Sequence, residues 1–161
     1  MSTGNDELVR SSFDAFLRGD WEALARVMDP EVQWLWYEPG DWDCHDRKKV
    51  LATLFERQRE GVVTGLNAVV AVDERVFVEI TGPRLTERGL PGGRACMVVT
   101  IDDGRIVRKQ DYPSRAAALA GAGLPPEPAA DDAEGRPDRR PAAAARRWAA
   151  GPQGHRRHPQ R

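Results

Sequence analysis

FLRGDWEALARVMDPEVQWLWYEPGDWDCHDR, residues Phe16 to Arg47, passes from helix to strand to a break and into a further helix. Trp21, Leu24, Ala25 and Met28 recur at helical spacing. Asp29-Pro30 is expected to stop that helix, because proline lacks the backbone donor and disfavours helical geometry in the residue before it. The strand that follows places Val32, Trp34 and Trp36 on one face and Gln33, Leu35 and Tyr37 on the other. Pro39-Gly40 breaks it. Residues Val32 to Arg47 hold three of the five tryptophans, with Cys44-His45 and with Glu38, Asp41, Asp43 and Asp46. Large aromatics among a few polar groups suit an apolar cavity that orients a small molecule.

Upstream, Leu8, Val9, Phe13, Phe16 and Leu17 mark an amphipathic helix over residues 6 to 18, followed by Gly19. Downstream, Val50, Leu51, Leu54 and Phe55 predict a third helix from Arg47 to about Glu60. The chain then turns β-rich. Leu66 to Val72, Arg75 to Ile80, Arg94 to Ile101 and Arg105 to Tyr112 read as strands, with hairpin turns at Asp73-Glu74 and Asp102-Asp103-Gly104. Thr81 to Gly93, with its prolines and glycines, is expected to be a long mobile loop of the kind that often rims a site. Ser114 can cap a short last helix through Leu119, and Gly121 and Gly123 close the folded part.

Length fits one domain with a core, residues 1 to 124, and a Pro/Ala/Arg-rich tail, 125 to 161, whose composition predicts disorder because it buries too little to offset ordering entropy. The tail carries eight Arg against five Asp/Glu, so the body is about −4 and the tail +3. No basic stripe marks the body as a nucleic-acid binder. The polar N-terminus lacks a signal-type apolar region, and no run approaches the roughly 20 apolar residues of a membrane span. A cytoplasmic location and reduced Cys44 and Cys96 are the corresponding expectations.

Three helices, with the first strand between the second and third, followed by four antiparallel strands, describe an α+β cone in which a curved sheet wraps a long helix. FLRGDWEALARVMDPEVQW, WDCHDRKKVLATL, GPR at Gly82 to Arg84 and DGRIVRKQDYPSRAAAL give the chain its resemblance to the nuclear transport factor 2-like superfamily, in particular SnoaL-like proteins. That resemblance implies the cystatin-like cone with a curved antiparallel sheet, a cavity between sheet and helices, and a homodimer packed through the outer sheet face. If the chain is an enzyme, the expected chemistry is acid/base isomerisation, cyclisation or hydration of an apolar metabolite without a cofactor. The same scaffold serves as a non-catalytic binding or dimerisation module. Ketosteroid isomerases of this superfamily use a first-helix tyrosine and a first-strand aspartate. This chain has Ser12 and Phe13, and Trp34 and Leu35, in those stretches. SnoaL-type cyclases use an acid near the end of the last strand, where Asp111 stands.

Asp111 shares a strand face with Val107 and Lys109, opposite Ile106, Arg108, Gln110 and Tyr112. If that face looks into the cone, Asp111 can move a proton with Lys109 nearby to hold it ionised. A salt bridge or a cap interaction at the last helix is the competing explanation. His45, flanked by Asp43 and Asp46, can transfer a proton at the cavity mouth or simply cap the third helix. Trp34, Trp36 and Trp42 are candidate walls of the pocket or plain core, with Asp43 beside them. Arg84 can fork onto an anionic ligand group or remain a solvated loop charge. Glu79 falls on the Phe77 face of its strand, toward the cone or toward a dimer partner. Cys44 and His45 are adjacent on an extended segment and point apart, which disfavours a thiol nucleophile. With no second Cys/His cluster in the body, a metal site is not expected.

Overall fold

A computed structural model describes residues 2–127. The element order is α1 (Ser2–Arg18), α2 (Trp21–Val27), β1 (Met28–Leu35), α3 (Arg47–Glu60), β2 (Gly65–Val72), β3 (Arg75–Thr81), α4 (Pro83–Glu87), β4 (Arg94–Asp102), β5 (Arg105–Tyr112) and α5 (Arg115–Ala122). Asp20 caps α2 by accepting from Ala23 N at 3.1 Å, and Asp46 caps α3 by accepting from Lys49 N at 2.8 Å. Each satisfies a backbone donor that the first helical turn leaves open. Gly61 ends α3 at φ 61°, a left-handed conformation that favours glycine.

The five strands form one curved, open sheet in the order β1-β5-β4-β3-β2. Four are antiparallel neighbours, but β1 joins β5 in parallel, so the expectation of a wholly antiparallel sheet is corrected to a mixed one. β1 also starts earlier than its proline suggested, at Met28. Pro30 is tolerated because β1 is an edge strand, and the β1–β5 register shifts between Met28 and Gln33. The strand ends at Leu35, leaving Trp36 and Tyr37 to the following loop.

The stretch expected to be a mobile loop, Thr81 to Gly93, is instead folded. Pro83 opens α4, where its missing donor costs nothing, and Leu85 is fully buried. Gly82 N donates to Gly93 O at 3.0 Å and Leu90 N to Leu85 O at 3.0 Å, closing the turn on itself.

Side-chain alternation divides the sheet between two cores. Val76, Val78, Ile80, Met97, Val99 and Ile101 face the helices α1 and α3, whose Val9, Phe16 and Val50 complete the larger core. Phe77, Cys96 and Val98 face the other way, against Ala118, Leu119 and Ala122 of α5. Glu79 belongs to this second side and is buried there, with Arg115 of α5 and Asn67 of β2 donating to its carboxylate. Part of the outer sheet face is thus covered by the chain's own last helix. Glu127, in the expected tail, accepts from Arg115 Nη2 at 2.6 Å, and the rest of that tail lies outside the described residues.

Candidate functional site

Between α1, α3 and the inner sheet face lies a cavity of about 110 Å³. Its walls come from the larger core: Phe16 of α1, Leu24 of α2, Leu54 of α3, and Val78, Met97 and Val99 of the sheet. Ser12, Phe13 and Leu54 are only partly buried, so the cavity approaches solvent between α1 and α3. At one end stand three larger groups, Trp34 of β1, Lys109 of β5 and Arg57 of α3.

The parallel pairing of β1 with β5 sets Trp34 directly beside Lys109. The Lys109 ammonium rests over the Trp34 ring, 3.4 Å from its centroid, a cation held against the electron-rich face. Trp34 is buried to 1% exposure, and its indole N–H donates to Asp111, two residues beyond Lys109 on the same sheet face. Trp36 packs against Trp34 with ring centroids 5.2 Å apart, and the Arg57 guanidinium lies 5.9 Å from the Trp36 ring. Arg57 also faces Glu60 Oε2 at 3.8 Å.

Burial in an apolar site disfavours the charged form of each ionisable group. It lowers Lys109 to about 8, against the pull of the Asp111 charge. It lowers Arg57 to about 10, with Glu60 opposing. Asp111 is pushed up by burial, against Lys109, the Trp34 hydrogen bond and Arg57. An amine brought down and a carboxyl brought up beside one another suit proton transfer near neutral pH.

The aromatic segment splits. Trp34 lines the cavity, whereas Trp36 stands behind it and, with Tyr37, Glu38 and Trp42, walls a separate surface pocket of about 260 Å³. Trp36 Nε1 donates to Trp42 O at 2.5 Å. Asp43 accepts from Trp36 N at 2.9 Å and from Gly40 N at 3.4 Å, so it holds the loop together. Backbone bonds of 2.9 and 2.8 Å between Trp34 and Cys44 pin the loop's far end to β1. Burial raises the Cys44 thiol. His45 is exposed and lines none of these pockets. Arg84, on α4, donates to Glu60 O and pairs with Glu87 at 3.4 Å, away from the cavity.

Asp111 is neither a cap nor one half of a close ion pair: Ser114 caps α5, and the carboxylate's hydrogen bond is to Trp34. The expected face Val107/Lys109/Asp111 is corrected at one position. A bulge between Thr100 and Ile101 turns Ile106 into the cavity and Val107 to the outer face. Arg57 went unpredicted, although it continues the α3 stripe of Val50 and Leu54 at helical spacing. Among the described residues no group of three or more His, Cys, Asp or Glu is placed to hold a metal ion, and no helix is long and apolar enough to cross a membrane.

No curated protein matches the chain. Among solved structures, Bal32a from a soil-derived mobile gene cassette shares 23% identity over 69% of this chain and 89% of its own, with a TM-score of 0.54. A proposed polyketide cyclase of Sinorhizobium meliloti shares 19% over 66% and 94%, with a TM-score of 0.52. A proposed ketosteroid isomerase of Kribbella flavida shares 17% over 85% and 92%, with a TM-score of 0.57. At such identities the likeness is one of fold. The sequence pattern of the SnoaL-like domain matches residues 9–109, which takes in Trp34, Arg57 and Lys109. The chain belongs to the SnoaL-like domain family.

Proposed function

We propose that the cavity encloses a small apolar molecule and that Asp111, with Lys109 beside it, moves a proton on that molecule without a cofactor, in an isomerisation, cyclisation or hydration. The observation that carries this is the Lys109–Trp34–Asp111 cluster, whose Lys109 and Trp34 line a largely apolar cavity with Asp111 hydrogen-bonded to Trp34 next to it. The names polyketide cyclase and ketosteroid isomerase given to two structural relatives are consistent with that class of reaction. His45 is a weaker candidate for the proton, being exposed. The test is deuterium uptake at the α-carbon of small enolisable ketones in D₂O, followed by proton NMR. Uptake with the native protein that Asp111→Asn abolishes while binding persists supports the proposal; absence of uptake across the series sinks it.

A non-catalytic binding module is the second reading. It is favoured by the Trp34 indole N–H, which donates to the Asp111 carboxylate, and by Asp111 being absent from the cavity's lining. Binding unchanged in Asp111→Asn, together with no exchange in the native protein, would establish it. In either case we propose that the protein acts in the cytoplasm as a homodimer, joined where the outer sheet face is left open beside α5. A groove of about 450 Å³ lies there, lined by Gln33, Thr100, Arg108, Gln110 and Tyr112 among others. Light scattering after size exclusion reads the assembly, and a monomer at micromolar concentration refutes it.

A further inference from the structure

The cavity's polarity has one sign. Apart from Ser12, the polar side chains lining it are Arg57 and Lys109, both cationic, and no carboxylate lines it among the described residues. Asp111 opposes the Lys109 charge and Glu60 the Arg57 charge, but neither carboxylate lines the cavity. The Lys109 ammonium has three donors. Among the described residues none of them makes a hydrogen bond or an ion pair within 4 Å, and the Trp34 face is what the ammonium meets. A cation at an apolar cavity without an acceptor is costly, and a ligand oxygen bearing negative charge relieves that cost.

We propose that the ligand is a small apolar monocarboxylate, seated with its carboxylate on Lys109 and its hydrocarbon among Phe16, Val78, Met97 and Val99. The inference rests on the cavity being a ligand site and adds the ligand's charge and size. Arg57, at the same end of the cavity, adds to the positive potential. A cavity of about 150 Å³ holds benzene. At about 110 Å³, this one suits a hydrocarbon part of roughly four or five heavy atoms by that comparison, with the carboxylate at Lys109.

The test compares pentanoate with pentanamide, equal in shape and different in charge, by calorimetric titration at pH 7. The native full chain is used, with Lys109→Met and Lys109→Arg alongside. We expect pentanoate to bind the native protein at least tenfold more tightly than pentanamide. Lys109→Met should erase that preference while pentanamide still binds, and Lys109→Arg should keep it. Equal binding of acid and amide by the native protein overturns the inference and leaves the cavity reading standing. Binding of neither overturns both. The native comparison alone decides between these outcomes, so a variant that folds poorly does not blunt the test.

Discussion

Trp34 serves two neighbours: its face supports the Lys109 ammonium and its N–H satisfies Asp111. Trp34→Phe keeps an aromatic face but removes the donor, leaving a buried carboxylate without its partner. The expected loss is about 1–3 kcal/mol in a urea titration, the usual cost of orphaning a buried polar group. An unchanged midpoint would contradict the assignment. Trp34 and Asp111 were legible in the sequence because strand alternation and position on the last strand are local signals. Lys109 was legible only as a neighbour, since whether its face looks inward depends on the bulge at Val107, which no residue type announces. Arg57 was hidden because a search for an apolar helical stripe passes over a charged residue standing in it. His45 and Arg84 drew attention through their chemistry, yet both lie where solvent or backbone carbonyls satisfy them. Residue type does not encode direction.

Elements carry the next group of errors and successes. The order of helices and strands between Phe16 and Arg47 was readable from periodicity and caps. Pro30 misled the start of β1, because proline breaks central strands and is tolerated at edges, and edge position is a property of the assembled sheet. Gly82 of the GPR motif is required by packing: a Cβ there would lie 1.9 Å from Val62 O. Gly82→Ala must displace backbone and should lower the melting temperature markedly, whereas Arg84→Ala on the same turn should leave it nearly unchanged. Differential scanning fluorimetry of the pair separates the two roles. On the outer face, Glu79 is 1% exposed and depends on Arg115, Asn67 and Arg94 for compensation. Removing Arg115 leaves that carboxylate partly uncompensated, so Arg115→Ala should cost about 1–3 kcal/mol in urea unfolding. Adding Glu79→Gln should then recover part of the loss, by removing the charge that needs a partner. If the double variant is as unstable as the sum of its parts, the pair does not anchor α5 as described.

For the whole molecule, the cavity's charges make stability depend on pH. Lys109 holds its proton less firmly in the folded chain, at about 8 against the ordinary 10.5, so between those values the unfolded chain binds more protons and stability rises with pH. Asp111 works in the other direction at lower pH. Its folded value is raised, so its contribution is full below the ordinary carboxylate value and is lost as pH rises through the folded one. The groups facing Lys109 are Asp111 on its own strand, Arg57 on α3 and Cys44 on the loop before α3. Buried Cys44 and Cys96, both raised, act against Lys109 in the upper part of this window, so the expected signature is a difference: the urea midpoint of the native protein relative to that of Lys109→Met should increase between pH 8 and 10. The cone itself was legible at this scale, because an ordered set of elements admits few architectures. Ligand identity was not, since it depends on which three side chains of α3, β1 and β5 converge.

Met28 and Met97 both line the cavity, and the chain has three methionines in all. Carbon-13 labelling of their methyl groups, assigned by Met→Leu exchange, therefore reports directly on what enters. Titration with pentanoate is expected to shift both the Met28 and the Met97 resonances along one saturable curve, with Lys109→Met moving the midpoint of that curve to the higher concentration at which pentanamide acts. Calorimetric binding that leaves both methyl resonances where they were would place the ligand elsewhere and contradict the cavity as the functional site.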